Sequence, residues 1–108
     1  MIAFLKGRLA AKTESSVVID VGGVGYAVGM SAHSLSSMPA VGEPVQVYTY
    51  LLVREDALTL YGFANMAEKA LFERLISVSG VGPKVALAAL SSYTTEALSN
   101  AIIASDTT

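Results

Sequence analysis

Up to Phe63, the chain consists of short apolar runs in which apolar and polar positions alternate or β-branched residues cluster. Such runs are typical of β-strands, because successive side chains of a strand point to opposite faces. Five strands are predicted, over residues 2–10, 17–21, 26–30, 45–53 and 58–63. Gly22-Gly23-Val24-Gly25 suits a tight hairpin, and residues 31–38 suit a short helix. Five strands with a small helix near the middle predict a Greek-key barrel of the oligonucleotide-binding (OB) type.

From Ala64 onward the apolar residues recur at helical spacing instead. The recurring positions are Leu71, Phe72, Leu75 and Ile76. This spacing predicts an amphipathic helix. Its polar residues, expected on the other faces, are Glu68, Lys69, Glu73 and Arg74. The change of pattern places a boundary at Phe63–Ala64, so we predict a barrel over residues 1–63 and a partial helical domain over residues 64–108.

The segment Ser79-Gly80-Val81-Gly82-Pro83-Lys84 separates this helix from a second apolar helical run that extends to about Leu90. Two glycines two apart let the backbone turn tightly and leave its amides uncovered. Pro83 suits the first position of a helix, where its missing N–H costs nothing. Free amides, the partial positive charge of the helix N-terminus and Lys84 together predict an anion site, with a nucleic-acid phosphate as the expected anion.

That hairpin also has a simpler interpretation, as a tight turn that joins two packed helices and binds nothing. Pro83, Lys84 and the small residues Ala86, Ala88 and Ala89 shift the balance, since they fit closely packed helices with a phosphate at the turn. From the motif alone, both interpretations remain open.

Arg54-Glu55-Asp56 falls between the last two predicted strands. The simplest interpretation is a polar, solvated hairpin turn. Alternatively, the adjacent carboxylates of Glu55 and Asp56 repel phosphates, while Arg54 attracts one. General acid–base catalysis is not indicated, because the sequence offers these carboxylates no nucleophile–base partner and no cluster of metal ligands.

Four aromatic residues could form a base-stacking platform on the barrel, namely Tyr48, Tyr50, Tyr61 and Phe63. Their alternate spacing favours core or interface positions instead. His33 is predicted to lie on the surface.

Composition narrows the class of function. Hydrophobic residues make up 53% of the chain and charged residues 15%, which indicates a folded domain. The chain has no cysteine and one histidine, so we expect no disulfide and no metal site. It has no GxxxxGK[ST] motif, and Gly22–Gly25 lacks GxGxxG spacing, so neither ATP hydrolysis nor a nucleotide cofactor is expected. No apolar run is long enough to span a membrane and the N-terminus does not suit a secretory signal, so the expected location is the cytoplasm.

The net charge is −2, whereas nucleic-acid binders usually carry a basic excess. If the chain binds DNA, the affinity must therefore come from local geometry, from oligomerisation or from further parts of the protein.

Two segments together resemble the RuvA family, the bacterial Holliday junction-binding subunits of a branch-migration machine. They are Val53-Arg54-Glu55-Asp56-Ala57-Leu58-Thr59-Leu60-Tyr61-Gly62-Phe63 and, after Leu71-Phe72, Ser77-Val78-Ser79-Gly80-Val81-Gly82-Pro83-Lys84-Val85-Ala86-Leu87. The opening Met1-Ile2…Leu5-Lys6-Gly7 and Val21-Gly22-Gly23-Val24-Gly25-Tyr26 are similar to the same family. The resemblance covers essentially the whole chain.

The resemblance implies an OB-like barrel that assembles into a homotetramer, with stacking into an octamer left open, and helix–hairpin–helix motifs that grip the arms of four-way junction DNA. It implies that Glu55 and Asp56 form an acidic pin, four copies of which hold the junction open. DNA binding would fall to Gly80, Val81, Gly82 and Lys84. A separate ATPase, RuvB, would be the motor, so the resemblance implies no catalysis here. The implied processes are recombination, repair and the SOS response to DNA damage.

The family continues into a second helix–hairpin–helix and a tethered third domain that contacts the motor. Here a further helix is predicted after Thr94, with Glu96 in its first turn, and the sequence then stops. We therefore expect a weaker grip on duplex DNA and no coupling to RuvB. The second hypothesis is a protein–protein oligomerisation module, in which the helical part only packs against the barrel.

Overall fold

The computed structural model describes residues 2–92, without the side chain of Ser92. Within that range the chain forms five strands and three helices. They are β1 (Phe4–Lys12), β2 (Ser16–Val21), β3 (Val24–Met30), α1 (Ala32–Ser36), β4 (Pro44–Arg54), β5 (Ala57–Phe63), α2 (Met66–Ile76) and α3 (Pro83–Ser92). The predicted strands, the short helix and the first two long helices are all present. The helix predicted after Thr94 lies outside the described residues.

The five strands close into a barrel in the order β1-β2-β3-β5-β4. Neighbouring strands run antiparallel except for β3 and β5, which pair in parallel. The parallel pair arises because α1 and β4 intervene between β3 and β5 along the chain. This closed five-stranded barrel followed by helices confirms the predicted OB-like fold.

One hydrophobic cluster fills the barrel, and its residues alternate along the strands as the period of two requires. Its buried members are Leu5, Leu9, Val17, Ile19, Val28, Met30, Leu35, Val45 and Val47. Leu35 comes from α1 and therefore ties that helix to the barrel interior. Gly7 permits the close approach of β1 and β2, because a Cβ at this position would lie 2.2 Å from the carbonyl oxygen of Asp20.

A second cluster joins the helices to the outside of the barrel. Its buried members are Tyr61 and Phe63 from β5, Leu71 and Phe72 from α2, and Ala86 and Leu90 from α3. Phe72 is fully buried. Its ring centroid lies 4.9 Å from that of Phe63, 5.4 Å from that of Tyr61 and 5.5 Å from that of Tyr50. Tyr50, Tyr61 and Phe63 are therefore packing residues, as their alternation predicted, and not an exposed stacking platform. Tyr48 is half-buried, and its role stays a prediction.

Glu68 is buried in α2, at 4% exposure, although the sequence pattern predicts it on a polar face. The prediction was wrong because positions 68, 71, 72 and 75 share one face of a helix. The carboxylate is tolerated there because the hydroxyl of Ser31 donates a hydrogen bond to it. His33 is exposed, as predicted.

The boundary predicted at Phe63–Ala64 coincides with the end of β5. Since α2 packs on both β4 and β5, the independence of the two parts stays a prediction. None of the helices within residues 2–92 has the length and apolar character needed to cross a membrane.

Candidate nucleic-acid interface

The turn between α2 and α3 is built by backbone hydrogen bonds and one left-handed glycine. Helix α2 ends at its C-cap Ser77, and the amide of Val81 then donates to the carbonyl oxygen of Val78 at 3.1 Å. Gly80 has a φ of 86°, a conformation that glycine adopts without steric cost. The predicted hairpin is therefore present, and Gly80 is required by its backbone geometry.

Helix α3 begins with amides that the helix itself cannot satisfy. Its first intrahelical hydrogen bond runs from the amide of Ala86 to the carbonyl oxygen of Gly82, at 3.0 Å. Pro83 occupies the first position and has no N–H, whereas the amides of Lys84 and Val85 lie in the first turn. They carry the partial positive charge of the helix N-terminus, so this end of α3 suits an anion.

Gly82 is a glycine that the fold does not require. Its φ lies outside the left-handed region, and a Cβ built on it would meet nothing within 4 Å. Replacement by alanine would therefore strain neither the backbone nor the packing. The missing side chain leaves the backbone open to close approach by a ligand, which is the other common reason for glycine at such a position.

Lys84 and Arg54 line one groove between the barrel and the start of α3, here called the Arg54–Lys84 groove. Its lining residues are Leu52, Arg54, Thr59, Tyr61, Gly82, Pro83, Lys84 and Val85. Both cationic side chains are exposed, so they remain available to a ligand. They are distant from each other in the sequence, but the fold brings the end of β4 beside the start of α3. A phosphate backbone lying along this groove would meet both charges and the open backbone of Gly82.

Glu55 and Asp56, the predicted acidic pin, form the tip of the β4–β5 hairpin. Arg54 pairs with Ala57, so Glu55 and Asp56 make a two-residue connection, and both are exposed. The β4–β5 hairpin thus carries two carboxylates at its tip and a guanidinium in the strand pair directly beside them. Two apolar residues pair beside the tip, Val53 at 66% exposure and Leu58 at 71%.

The described residues offer no cluster of three or more His, Cys, Asp or Glu side chains that could hold a metal ion.

Comparison with known proteins fits this geometry. Residues 1–62 match the family described as RuvA N terminal domain, and residues 72–107 match SAM-like Helix-hairpin-helix tandem. The chain belongs to the RuvA family. The first match covers the barrel and the acidic pin, and the second covers the hairpin and α3, so both parts of the candidate interface lie in regions that the family comparison matches.

Three RuvA relatives illustrate the similarity, and each is named "Holliday junction branch migration complex subunit RuvA". The protein of Symbiobacterium thermophilum is 55% identical over 98% of this chain and 52% of its own length. That of Magnetococcus marinus is 52% identical over 100% of this chain and 53% of its own length. That of Stutzerimonas stutzeri is 48% identical, over 99% and 53% respectively. The chain therefore spans about half the length of the curated RuvA relatives it matches.

Proposed function

We propose that this chain binds four-way (Holliday) junction DNA through its shape, as the non-catalytic subunit of an ATP-driven branch-migration complex. The observation that carries the proposal is the turn between α2 and α3. There the backbone of Gly82 is uncovered, the first amides of α3 have no partner within the helix, and Lys84 lines the same groove as Arg54. Membership of the RuvA family supports the same function, since the relatives are named as junction branch-migration subunits. The processes served would be recombination, DNA repair and the SOS response, on chromosomal DNA in the cytoplasm.

The proposed DNA contacts are made by Gly80, Val81, Gly82 and Lys84, with a further phosphate contact at Arg54. Backbone amides and cationic side chains recognise phosphate oxygens, which are the same in every sequence. Binding of this kind cannot distinguish bases, so its specificity must come from the path of the phosphate backbones. A four-way junction differs from a linear duplex in that path alone.

We further propose that four chains assemble around the junction, with the acidic pins at the centre. Repulsion between the carboxylates of Glu55 and Asp56 and the phosphates at the crossover would hold the junction open. The exposed pair Val53 and Leu58 supports a subunit contact close to the pin, because apolar area gains stability when another subunit covers it. The motor would be RuvB, acting on the assembled junction complex.

The second candidate function is an oligomerisation module without DNA binding of its own. The net charge of −2 and the exposed apolar pair favour it. The two candidates differ in one property, since only the first requires the Arg54–Lys84 groove to contact a phosphate.

The deciding experiment is a gel-shift titration at low salt that compares a four-way junction with a linear duplex of the same arm sequence. Preference for the junction is the expected result. Lys84→Ala should weaken binding and reduce the slope of log K against log salt by about one for each hairpin in contact with DNA. Lys12→Ala is the matched control, because Lys12 is exposed and lies outside the groove. Absence of binding to either DNA would favour the oligomerisation module.

A further inference from the structure

Helix α1 and its N-cap Ser31 contact α2, α3 and the segment before α2 through a small set of hydrogen bonds, here called the α1 anchor. It consists of the bonds from Ser31 to Glu68, from Ala32 to Ser91 and from Ala64 to Ser34. Because α1 lies between β3 and β4 and buries Leu35 in the barrel, the anchor links the barrel to the helical part.

The contact with α2 is buried and is made by the hydroxyl of Ser31 and the carboxylate of Glu68. The Ser31 hydroxyl, 0% exposed, donates to Oε1 of Glu68 at 2.5 Å and accepts from the amide of Ser34 at 3.1 Å. The amide of Glu68 in turn donates to the N-cap side chain of Asn65 at 2.8 Å. A buried carboxylate without a hydrogen-bond donor is costly, so α2 packs on the barrel most favourably in the orientation that keeps the bond between Ser31 and Glu68.

The contact with α3 starts at the next residue. The amide of Ala32 donates to Oγ of Ser91 at 2.9 Å, and the Ser91 hydroxyl donates to the carbonyl oxygen of Leu87 at 2.9 Å. The segment that leads into α2 is held as well, by the bond from the amide of Ala64 to Oγ of Ser34 at 3.0 Å. Two adjacent residues at the start of α1, its N-cap Ser31 and its first residue Ala32, therefore bond to α2 and α3, the helices on either side of the turn.

We propose that Ser31, Glu68 and Ser91 are positioning residues that set the angle between the hairpin and the acidic pin, and that junction selectivity depends on this angle. The apolar cluster around Phe72 supplies the main contact between the two parts. The hydrogen bonds of the α1 anchor add directional contacts on another side of the helical part, and these depend on the angle at which the helices meet the barrel. The proposal rests on the proposed function, since it concerns which DNA the hairpin unit prefers.

The physical reason for selectivity is that a junction must satisfy two positions at once. When its arms lie on the α2–α3 turns, its crossover must lie at the pin, where repulsion holds the strands apart, whereas a linear duplex has no crossover to place. If the angle between the turn and the pin is fixed in advance, this placement carries no further ordering cost. If the anchor loosens, junction affinity should fall while duplex affinity stays unchanged.

The test compares Ser91→Ala with Ser91→Thr and with Ser36→Ala. Ser91 is only half-buried, so its alanine variant should fold, and threonine keeps the hydroxyl that accepts from Ala32. Ser36 is the matched control, because it lies on α1 but its hydroxyl donates only to the carbonyl oxygen of His33 in the same helix. We expect Ser91→Ala to lower junction affinity about fivefold, the equivalent of one hydrogen bond, with duplex affinity within about twofold of the parent. Ser91→Thr should restore the preference.

Equal losses on junction and duplex, or a loss in Ser91→Ala that threonine does not restore, would overturn the proposal. A second variant, Glu68→Gln, keeps the acceptor oxygen for Ser31 and should retain selectivity. Glu68→Leu removes that oxygen and should lose the preference for the junction over the duplex. Its binding is measured at a temperature at which thermal melting shows that the variant is folded.

A measurement without DNA separates this proposal from the proposed function. The chain has no cysteine, so Ala27→Cys on β3 and Glu73→Cys on α2 allow a spin-label pair across the anchor, diluted with unlabelled protein. Both positions are exposed. The distance distribution should broaden in Ser91→Ala but not in Ser36→Ala. An unchanged distance distribution in Ser91→Ala would refute the positioning role of the α1 anchor, even if the parent protein binds the junction. A broader distribution in Ser91→Ala, together with no junction preference in the parent, would refute only the proposed function.

Discussion

Replacing Phe72 by alanine tests how strongly the helical part is packed on the barrel. The side chain is 0% exposed and its ring lies within 5.5 Å of three other aromatic rings. Complete removal of a buried Phe side chain costs about 3–5 kcal/mol, and each aromatic pair adds about 0.5–1.5 kcal/mol beyond burial. Because three pairs are lost at once, we expect a loss near the upper end, about 5 kcal/mol in the free energy of unfolding.

A loss of that size is a large part of the total stability of about 5–15 kcal/mol that is usual for a domain. It corresponds to a fall in Tm of about 20 °C, at roughly 4 °C per kcal/mol for a chain of this length. Phe4→Ala is the matched control. The same atoms are removed, but Phe4 is 52% exposed, so the loss should stay below about 1 kcal/mol.

The assay is urea unfolding followed by far-ultraviolet circular dichroism, which reports the helices, and by tyrosine fluorescence, which reports the aromatic cluster in a chain without tryptophan. If the cluster couples the two parts, both signals should change in a single transition, and its midpoint should move to lower urea concentration for both signals in Phe72→Ala. A loss below about 2 kcal/mol, or a helical transition separate from that of the barrel, would refute the coupling. The second outcome would also support a domain boundary at Phe63–Ala64.

Two further predictions concern the acidic pin and the barrel. Replacing Glu55 and Asp56 together by glutamine should tighten binding to both junction and duplex in low-salt gel shifts and narrow the preference for the junction, since repulsion is removed without loss of volume; weaker binding would argue against a repulsive role. Gly7→Ala should lower the free energy of unfolding by about 3 kcal/mol in urea unfolding, because its Cβ would lie 2.2 Å from the carbonyl oxygen of Asp20. Gly82→Ala is the matched control and should change that free energy by less than about 1 kcal/mol, because its Cβ would meet nothing within 4 Å. Equal losses in the two variants would contradict the packing argument.

The barrel could be predicted from the sequence because alternation and turn residues are local signals. Residues 17–21 and 58–63 show their strands through β-branched and aromatic residues, and Gly22-Gly23 shows its hairpin through the need for positive φ. The start of α3 was equally accessible, since Pro83 marks a first helical position. In each case the information lies within a few residues of the element that it defines.

The contacts between elements could not be predicted in this way. Arg54 and Lys84 share a groove only because the end of β4 lies beside the start of α3, and no local pattern reports that. Glu68 was misplaced for a related reason. A charged residue on an apolar helical face is ordinarily exposed, and only the donor at Ser31, distant in sequence, makes its burial acceptable. A stricter use of the helical period would have placed Glu68 with Leu71 and Phe72.

The negative net charge is compatible with DNA binding once the positions of the charges are considered. At physiological salt, charges more than about 8 Å from a phosphate are largely screened, so the sign of the whole chain matters less than the few groups that touch the backbone. Under the proposed function, those groups are the two cations of the Arg54–Lys84 groove and the amides at the start of α3. The acidic pin lies at the tip of the same hairpin that carries Arg54, so attraction and repulsion are separated by only a residue or two of chain. Under the proposed function, this repulsion disfavours a linear duplex that follows the groove toward the pin, whereas in a junction the same repulsion acts where the strands already part and holds them open. The arrangement would convert a small local charge pattern into a preference for DNA shape, which a uniformly basic surface would not provide.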